Sequence, residues 1–207
     1  ADGIGDGSKT CDATGELQRL LTIRVPELIA YQDIRYAQEY VEVVKRVAAA
    51  ERAHPGLRRT HANGVGTRPP GETRLTETVA RHLFKLMAYK DEYEVARLYT
   101  DGTFLRRLGE QFEGGYKLRF HLAPPLLAPK DPATGRLLKR RYGGWMMPAF
   151  RMLARFKFLR GTKFDVFGYT AERRGERKLI QDYAARLDEI ARTLTAANHA
   201  AAVEVAR

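Results

Sequence analysis

The sequence predicts a mainly α-helical fold with one small antiparallel β-hairpin, an α+β arrangement in a single compact helical domain. Three observations carry this. Four segments place apolar residues at a recurrence near 3.6, one segment alternates apolar and polar residues strictly, and clusters of Gly and Pro separate them. At 207 residues and 44% hydrophobic composition, the chain is long enough to bury a core.

The first helix is expected to open near Pro26, a residue suited to a first helical turn, and to run toward Ala53 on a stripe of Leu28, Ile29, Tyr36, Tyr40, Val43, Val44 and Val47. It stops at His54-Pro55-Gly56. Residues 54–74 hold five further breakers and no hydrophobic period, which predicts a mobile, exposed loop. A second helix is expected from Leu75 to Tyr99, with Leu75, Val79, Leu83, Leu86 and Met87 on one side. Asp101 then offers an N-cap for a short helix.

Tyr116 to Leu122 is the strand. Tyr116, Leu118, Phe120 and Leu122 point one way, while Lys117, Arg119 and His121 point the other. Leu137 to Tyr142 is its expected partner across a Pro-rich arm with turn signals at Asp131-Pro132 and Thr134-Gly135, so the hairpin occupies 116–142. A third helical stretch is expected from Pro148 to Leu159, with Ala149, Met152, Leu153 and Phe156 on one face and Arg151 with Arg155 on the other. The fourth starts after Thr170 and carries Leu179, Ile180, Tyr183, Leu187, Ile190, Ala191 and Leu194 at helical period. The organisation is thus a flexible segment over 1–16, a helical domain over 17–195, and a C-terminal helical extension over 196–207. The start at Ala1 and the Gly-rich opening predict a piece cut from a longer polypeptide, with processing of a complete protein as the alternative.

Charge is concentrated. Between Arg136 and Lys163 stand nine Lys or Arg residues and no Asp or Glu, in a chain of net charge +11. Gly143, Gly144, Trp145, Met146, Met147, Phe150, Phe156 and Phe158 interrupt the cations, so the stretch folds and packs, with Trp145, Phe150 and Phe156 expected in a core. A folded basic surface calls for an anionic partner. Lys139, Arg140, Arg141, Arg151 and Arg155 are the candidate partner- or anion-binding residues. The competing explanations are charge balance against an adjacent acidic domain, docking of an acidic redox protein or nucleotide phosphate, and nucleic acid.

Other motifs carry less. Gly5-Asp6-Gly7 is the first half of the signature that holds Mg²⁺ in thiamine diphosphate enzymes, but no Asn follows before Asn63 and a flexible terminus is the better reading. The five His residues, at 54, 61, 82, 121 and 199, show no metal-ligand spacing. His121 alone merits a test for chemistry, because it shares the basic strand face with Lys117 and Arg119; a structural hydrogen bond is its simpler role. Asp91, Glu92 and Glu94 read as surface charge, and Arg173, Arg174 and Arg177 as a solvated helix face. No catalytic, cofactor-binding or metal residue is identified. Cys11 is the single cysteine, too few for a disulfide or an iron–sulfur cluster. No apolar run is long enough for a spanning helix and the N-terminus lacks a secretory h-region, so the expected location is cytoplasmic.

Four strings resemble one family. LLTIRVPELIAYQDIRYAQEY (20–40), KLMAYKDEYEVARLYT (85–100), LRFHLAPPLLAPKDPATGR (118–136) and RGTKFDVFGYTAERRGERKLIQDY (160–183) are similar to the C-terminal region of the long, single-chain indolepyruvate ferredoxin oxidoreductases. Together with the basic run the resemblance covers about Leu17 to Leu194. It implies a parent enzyme that decarboxylates aryl pyruvates, transfers the acyl group to coenzyme A, and uses thiamine diphosphate, Mg²⁺ and iron–sulfur clusters to reduce ferredoxin. None of those binding motifs lies in these strings. The implied role is a structural and docking domain, inactive alone, with the catalytic modules, ferredoxin and coenzyme A as candidate partners; a stand-alone module for nucleic acid is the alternative.

Overall fold

The computed structural model describes residues 15–54, 74–123, 128–129, 131–135 and 138–207. Expectations for the flexible N-terminal residues through 14, Cys11, Gly5-Asp6-Gly7, most of the 54–74 loop with His61, and Arg136 with Leu137 lie outside the described residues. The described residues are mainly helical, with one two-stranded antiparallel sheet, as the periodicities predict. They fall into two compact units, one over residues 1–88 and 175–207 and one over Tyr89–Arg174.

Unit 1 begins with α1 (Glu16–Tyr31) and α2 (Ile34–Ala53). The sequence reading made these one helix opening at Pro26; instead Pro26 lies inside α1 and the chain breaks two residues after Tyr31. Asp33 causes the break by turning extended and accepting the Tyr36 N–H at 2.8 Å, which caps α2. Pro26 costs its helix about 3 kcal/mol. Leu17, Leu20, Leu21 and Leu28 are all buried, and at about 1.5–3 kcal/mol apiece their burial outweighs the proline.

Helix α3 (Arg74–Met87) buries Leu75, Val79, Ala80, Leu83 and Met87 against α1 and α2. Two polar groups stitch these helices. Tyr40 donates its hydroxyl to the Ala80 carbonyl at 2.9 Å, and Tyr36 donates to Met87 O at the same distance. The later part of α7 (Ala171–Thr193) contributes Leu187 and Ile190, and α8 (His199–Val205) contributes Ala202 and Val203. Leu179, expected on the buried stripe, is exposed. Tyr183 closes the unit by donating to Ala206 O at 2.6 Å, and burial pushes its phenol up to about 12.

Unit 2 contains α4 (Glu92–Thr100), α5 (Thr103–Gln111), β1 (Phe120–Leu122), β2 (Arg140–Tyr142), α6 (Met146–Arg155) and a 3-10 turn at Phe156–Leu159. The helix expected over Leu75–Tyr99 is therefore α3 and α4, split at Asp91, whose carboxylate accepts the Glu94 N–H at 2.8 Å. The N-cap of α5 is Gly102 at φ 89° rather than the expected Asp101, which ends α4 and accepts the Thr103 N–H from one residue further back. The paired strand is shorter than the alternation suggested: Phe120 faces Tyr142, His121 faces Arg141 and Leu122 faces Arg140, and no residue before Phe120 is assigned to the strand.

The core of this unit is aromatic. Phe150 stacks on Tyr99 at 5.1 Å and meets Phe120 edge-on at 5.3 Å, with Met147 and Ala96 filling in. Helix α6 buries Met147 and Phe150 and half-buries Met146, Leu153 and Ala154, so its apolar stripe is rotated from the expected one. Met152, Phe156 and Trp145 are exposed, which corrects the placement of the latter two in a core.

Candidate docking surface

Unit 2 holds 18 Lys and Arg against 9 Asp and Glu, a net +9 of the chain's +11. Two classes stand apart among the cations of the described residues, beside surface pairs such as Arg106 with Glu110. Arg97, Arg160 and Arg173 are committed to internal carboxylates, with Arg97 meeting Glu94 at 2.7 Å, Arg173 meeting Glu92 at 3.3 Å, and Arg160 gripping Asp91 with Nε and Nη2 at 2.5 and 2.8 Å. Asp91, Glu94, Arg160 and Arg173 are buried, so the expectations of surface charge for Asp91 and Glu94 and of a solvated face for Arg173 are corrected. A guanidinium stays charged when buried and therefore needs an opposite charge beside it, and the fork of Arg160 matches both oxygens of Asp91.

Lys139, Arg140, Arg141, Arg151 and Arg155 belong to the second class. All five are exposed and make no ion pair among the described residues. Lys117, Arg119 and Lys163 are exposed as well, and Lys157 is half-buried. The structure does not put the five on one line. Directly opposed residues of an antiparallel pair share a face, so Arg141 stands with His121, whereas Arg140 lies with Leu122 on the other face. Arg151 and Arg155, one helical turn apart in α6, do share a side. His121 is exposed, and Arg141 stands opposite it.

Two clusters escaped the sequence reading. In unit 2, Asp165 is buried and accepts the Gly161 and Gly168 N–H groups at 2.9 and 3.0 Å and the Tyr93 hydroxyl at 3.2 Å. Burial first, then the Asp165 charge, pushes the Tyr93 phenol well above its ordinary range. In unit 1, Glu51 is buried at the end of α2. It accepts the N–H groups of Leu75 and Thr76, both at 2.9 Å, the Thr76 hydroxyl at 2.7 Å, and meets His199 Nε2 at 2.7 Å. Four partners occupy the four lone-pair sites of the carboxylate, so Glu51 fastens α2, α3 and α8 together and has no site left for a substrate. Sequence offered no signal for this pairing, since Glu51 and His199 stand 148 residues apart.

Among the described residues, no group of three His, Cys, Asp or Glu is arranged to hold a metal ion, and no helix is long and apolar enough to cross a membrane. No curated protein and no solved structure matches the chain. A family model, described as a family of unknown function (DUF6537), matches residues 17–207, and the chain therefore belongs to the DUF6537 family.

Proposed function

We propose that this chain is the C-terminal structural and docking domain of a thiamine diphosphate- and iron–sulfur-dependent indolepyruvate:ferredoxin oxidoreductase. The observation that carries the docking half is the sorting of unit 2's cations. Arg97, Arg160 and Arg173 are taken up by Glu94, Asp91 and Glu92, whereas Lys139, Arg140, Arg141, Arg151 and Arg155 are exposed to solvent. Such a field favours encounter with an acidic protein. Ferredoxin and an acidic catalytic module of the same enzyme both fit, and coenzyme A is a smaller anion for the same charges.

The family half rests on the four resembling strings. Two of them hold both sides of the buried network of unit 2: Asp91, Tyr93 and Glu94 lie in 85–100, and Arg160, Asp165 and Arg173 in 160–183. That supports a scaffold role for these residues, with thiamine diphosphate, Mg²⁺ and clusters belonging to other parts of the parent protein.

The test is charge reversal at Arg140, Arg141, Arg151 and Arg155 in the full-length enzyme. All four side chains are exposed, so stability is expected to hold. Ferredoxin reduction at low salt is expected to slow by about tenfold through the encounter rate, while reduction of an artificial dye stays normal. Wild-type rates with both acceptors would remove the ferredoxin-docking reading. A second reading, nucleic acid, draws on Trp145, which is 63% exposed next to these cations and offers a stacking face. Competition separates the two: ferredoxin displaces a bound oligonucleotide only if they share the surface, and an oligonucleotide that binds while ferredoxin does not would favour the second reading.

A further inference from the structure

The segment that follows the 3-10 turn exposes apolar side chains in a loop too well anchored to hide them. Phe164 is 77% exposed, Val166 57% and Tyr169 62%. At the start of the loop the Arg160 guanidinium is locked onto Asp91, and in its middle the buried Asp165 carboxylate takes the Gly161 and Gly168 amides and the Tyr93 hydroxyl. Phe167 packs edge-on against Tyr93 at 5.4 Å. Asp165 and Phe167 thus turn inward, and Phe164 and Val166 between and beside them turn outward. Tyr169 donates its hydroxyl to Lys163 O at 2.7 Å, which fixes its ring beside the backbone of the residue before Phe164. Folding Phe164 inward would strip donors from a buried carboxylate, so the loop keeps its apolar side chains in water.

We infer that Phe164, Val166 and Tyr169 are the anchors of a lasting contact with an acidic protein module of the polypeptide to which this chain belongs. The inference rests on the docking reading above and deepens it. Preorganised aromatic side chains are what the centres of interfaces use, because little conformational entropy remains to be lost on binding. The neighbouring sequence defines the partner's charge: exposed Lys163 directly precedes Phe164, exposed Arg151 and Arg155 lie earlier in the chain, and no Asp or Glu occurs from Arg136 to Phe164. The apolar content defines its persistence, since transient redox contacts are small and polar whereas permanent interfaces are apolar. Val166 has no π face, so a nucleic acid would leave it unused.

The experiment is hydroxyl-radical footprinting of two samples, this chain alone and the native polypeptide that contains it, read at Phe164 and Tyr169 by mass spectrometry. Labelling of both is expected to fall about tenfold in the native polypeptide as the side chains pass into an interface core. Equal labelling in the two samples, or protection already present in the chain alone, overturns the inference. So does protection of the chain alone that appears only on adding single-stranded DNA or vesicles of phosphatidylserine and phosphatidylcholine. A second measurement uses Phe164→Ser with Val166→Ser: the unfolding temperature of the chain alone is expected to stay put and that of the native polypeptide to fall, and an unchanged native polypeptide counts against the anchors. The two proposals fail separately. A protected loop in a polypeptide that does not reduce ferredoxin keeps the interface and removes the enzyme assignment, and an active oxidoreductase with a fully labelled loop does the reverse.

Discussion

At the scale of single residues, the carboxylates of this chain do more than their sequence positions suggest. Glu51 is the clearest case, because one side chain serves as the acceptor for two helix-terminal amides, a hydroxyl and an imidazole. Glu51→Ala would leave those donors without an acceptor in a buried place, and the expected loss is about 3 kcal/mol or more, read as a shift in the urea midpoint at constant slope. Glu16 acts at the surface. Hydrogen bonds from Arg19 and then Arg81 hold its carboxyl down to about 2. A depressed folded value means that the stabilisation is fully present above the unfolded value of 4.5 and drains away as pH falls toward 2. Denaturant midpoints measured from pH 6 down to pH 2 are expected to fall less steeply for Glu16→Gln than for wild type. Neither role was legible beforehand: a lone Glu among helical residues reads as solvated charge until its tertiary neighbours are known.

At the scale of elements, periodicity located most of the helical residues but missed the start of α1 before Pro26 and the breaks at Asp33 and Asp91. Leu28 to Val47 keeps a helical stripe across Gln32 and Asp33, and Leu75 to Val95 keeps one across Tyr89 to Asp91, so the pattern of apolar residues alone cannot register a change of axis. The signal was present in Asp33 and Asp91, each three residues before the amide it caps. Asp91 is also half of the ion pair with Arg160. Arg160→Met removes the charge that compensates a buried carboxylate and is expected to destabilise unit 2 by about 3–5 kcal/mol, seen as an earlier unfolding transition by near-UV circular dichroism from its aromatic core. The strand was overread for a related reason. Alternation over Tyr116–Leu122 predicts which residues face inward, and Phe120 and His121 obey it, but a ladder needs a partner, and β2 pairs with only three residues.

At the scale of the whole molecule, the unequal distribution of charge between the units was readable from the sequence, since a +9 stretch leaves little for the rest. Which of those cations are available was not readable. Arg160 stands in the same run as Arg151 and Arg155, yet it is buried against Asp91, 69 residues away, while they remain in water. The candidate surface was therefore legible as a composition, and its membership only as a structure. The aromatic residues followed the same rule: Phe150 went to the core, and Phe156 and Trp145, in the same apolar company along the chain, did not.

Unit 1 is assembled from residues on both sides of unit 2, and this sets an order of events on the ribosome. The core of α1, α2 and α3 lacks Leu187, Ile190, Leu194, Ala202 and Val203 until the last part of this sequence has been made. At about 5–20 residues per second, the 86 residues of unit 2 and the 33 that follow keep the early helices waiting for several seconds or more. During that interval the leucines of α1 and α3 have no complete cover. Unit 2, continuous in sequence, has all its contacts within reach as soon as Arg174 emerges. Of the helices in this sequence, α1–α3 are made first and sealed last, and exposure to chaperones and to self-association falls on them rather than on the basic unit that follows.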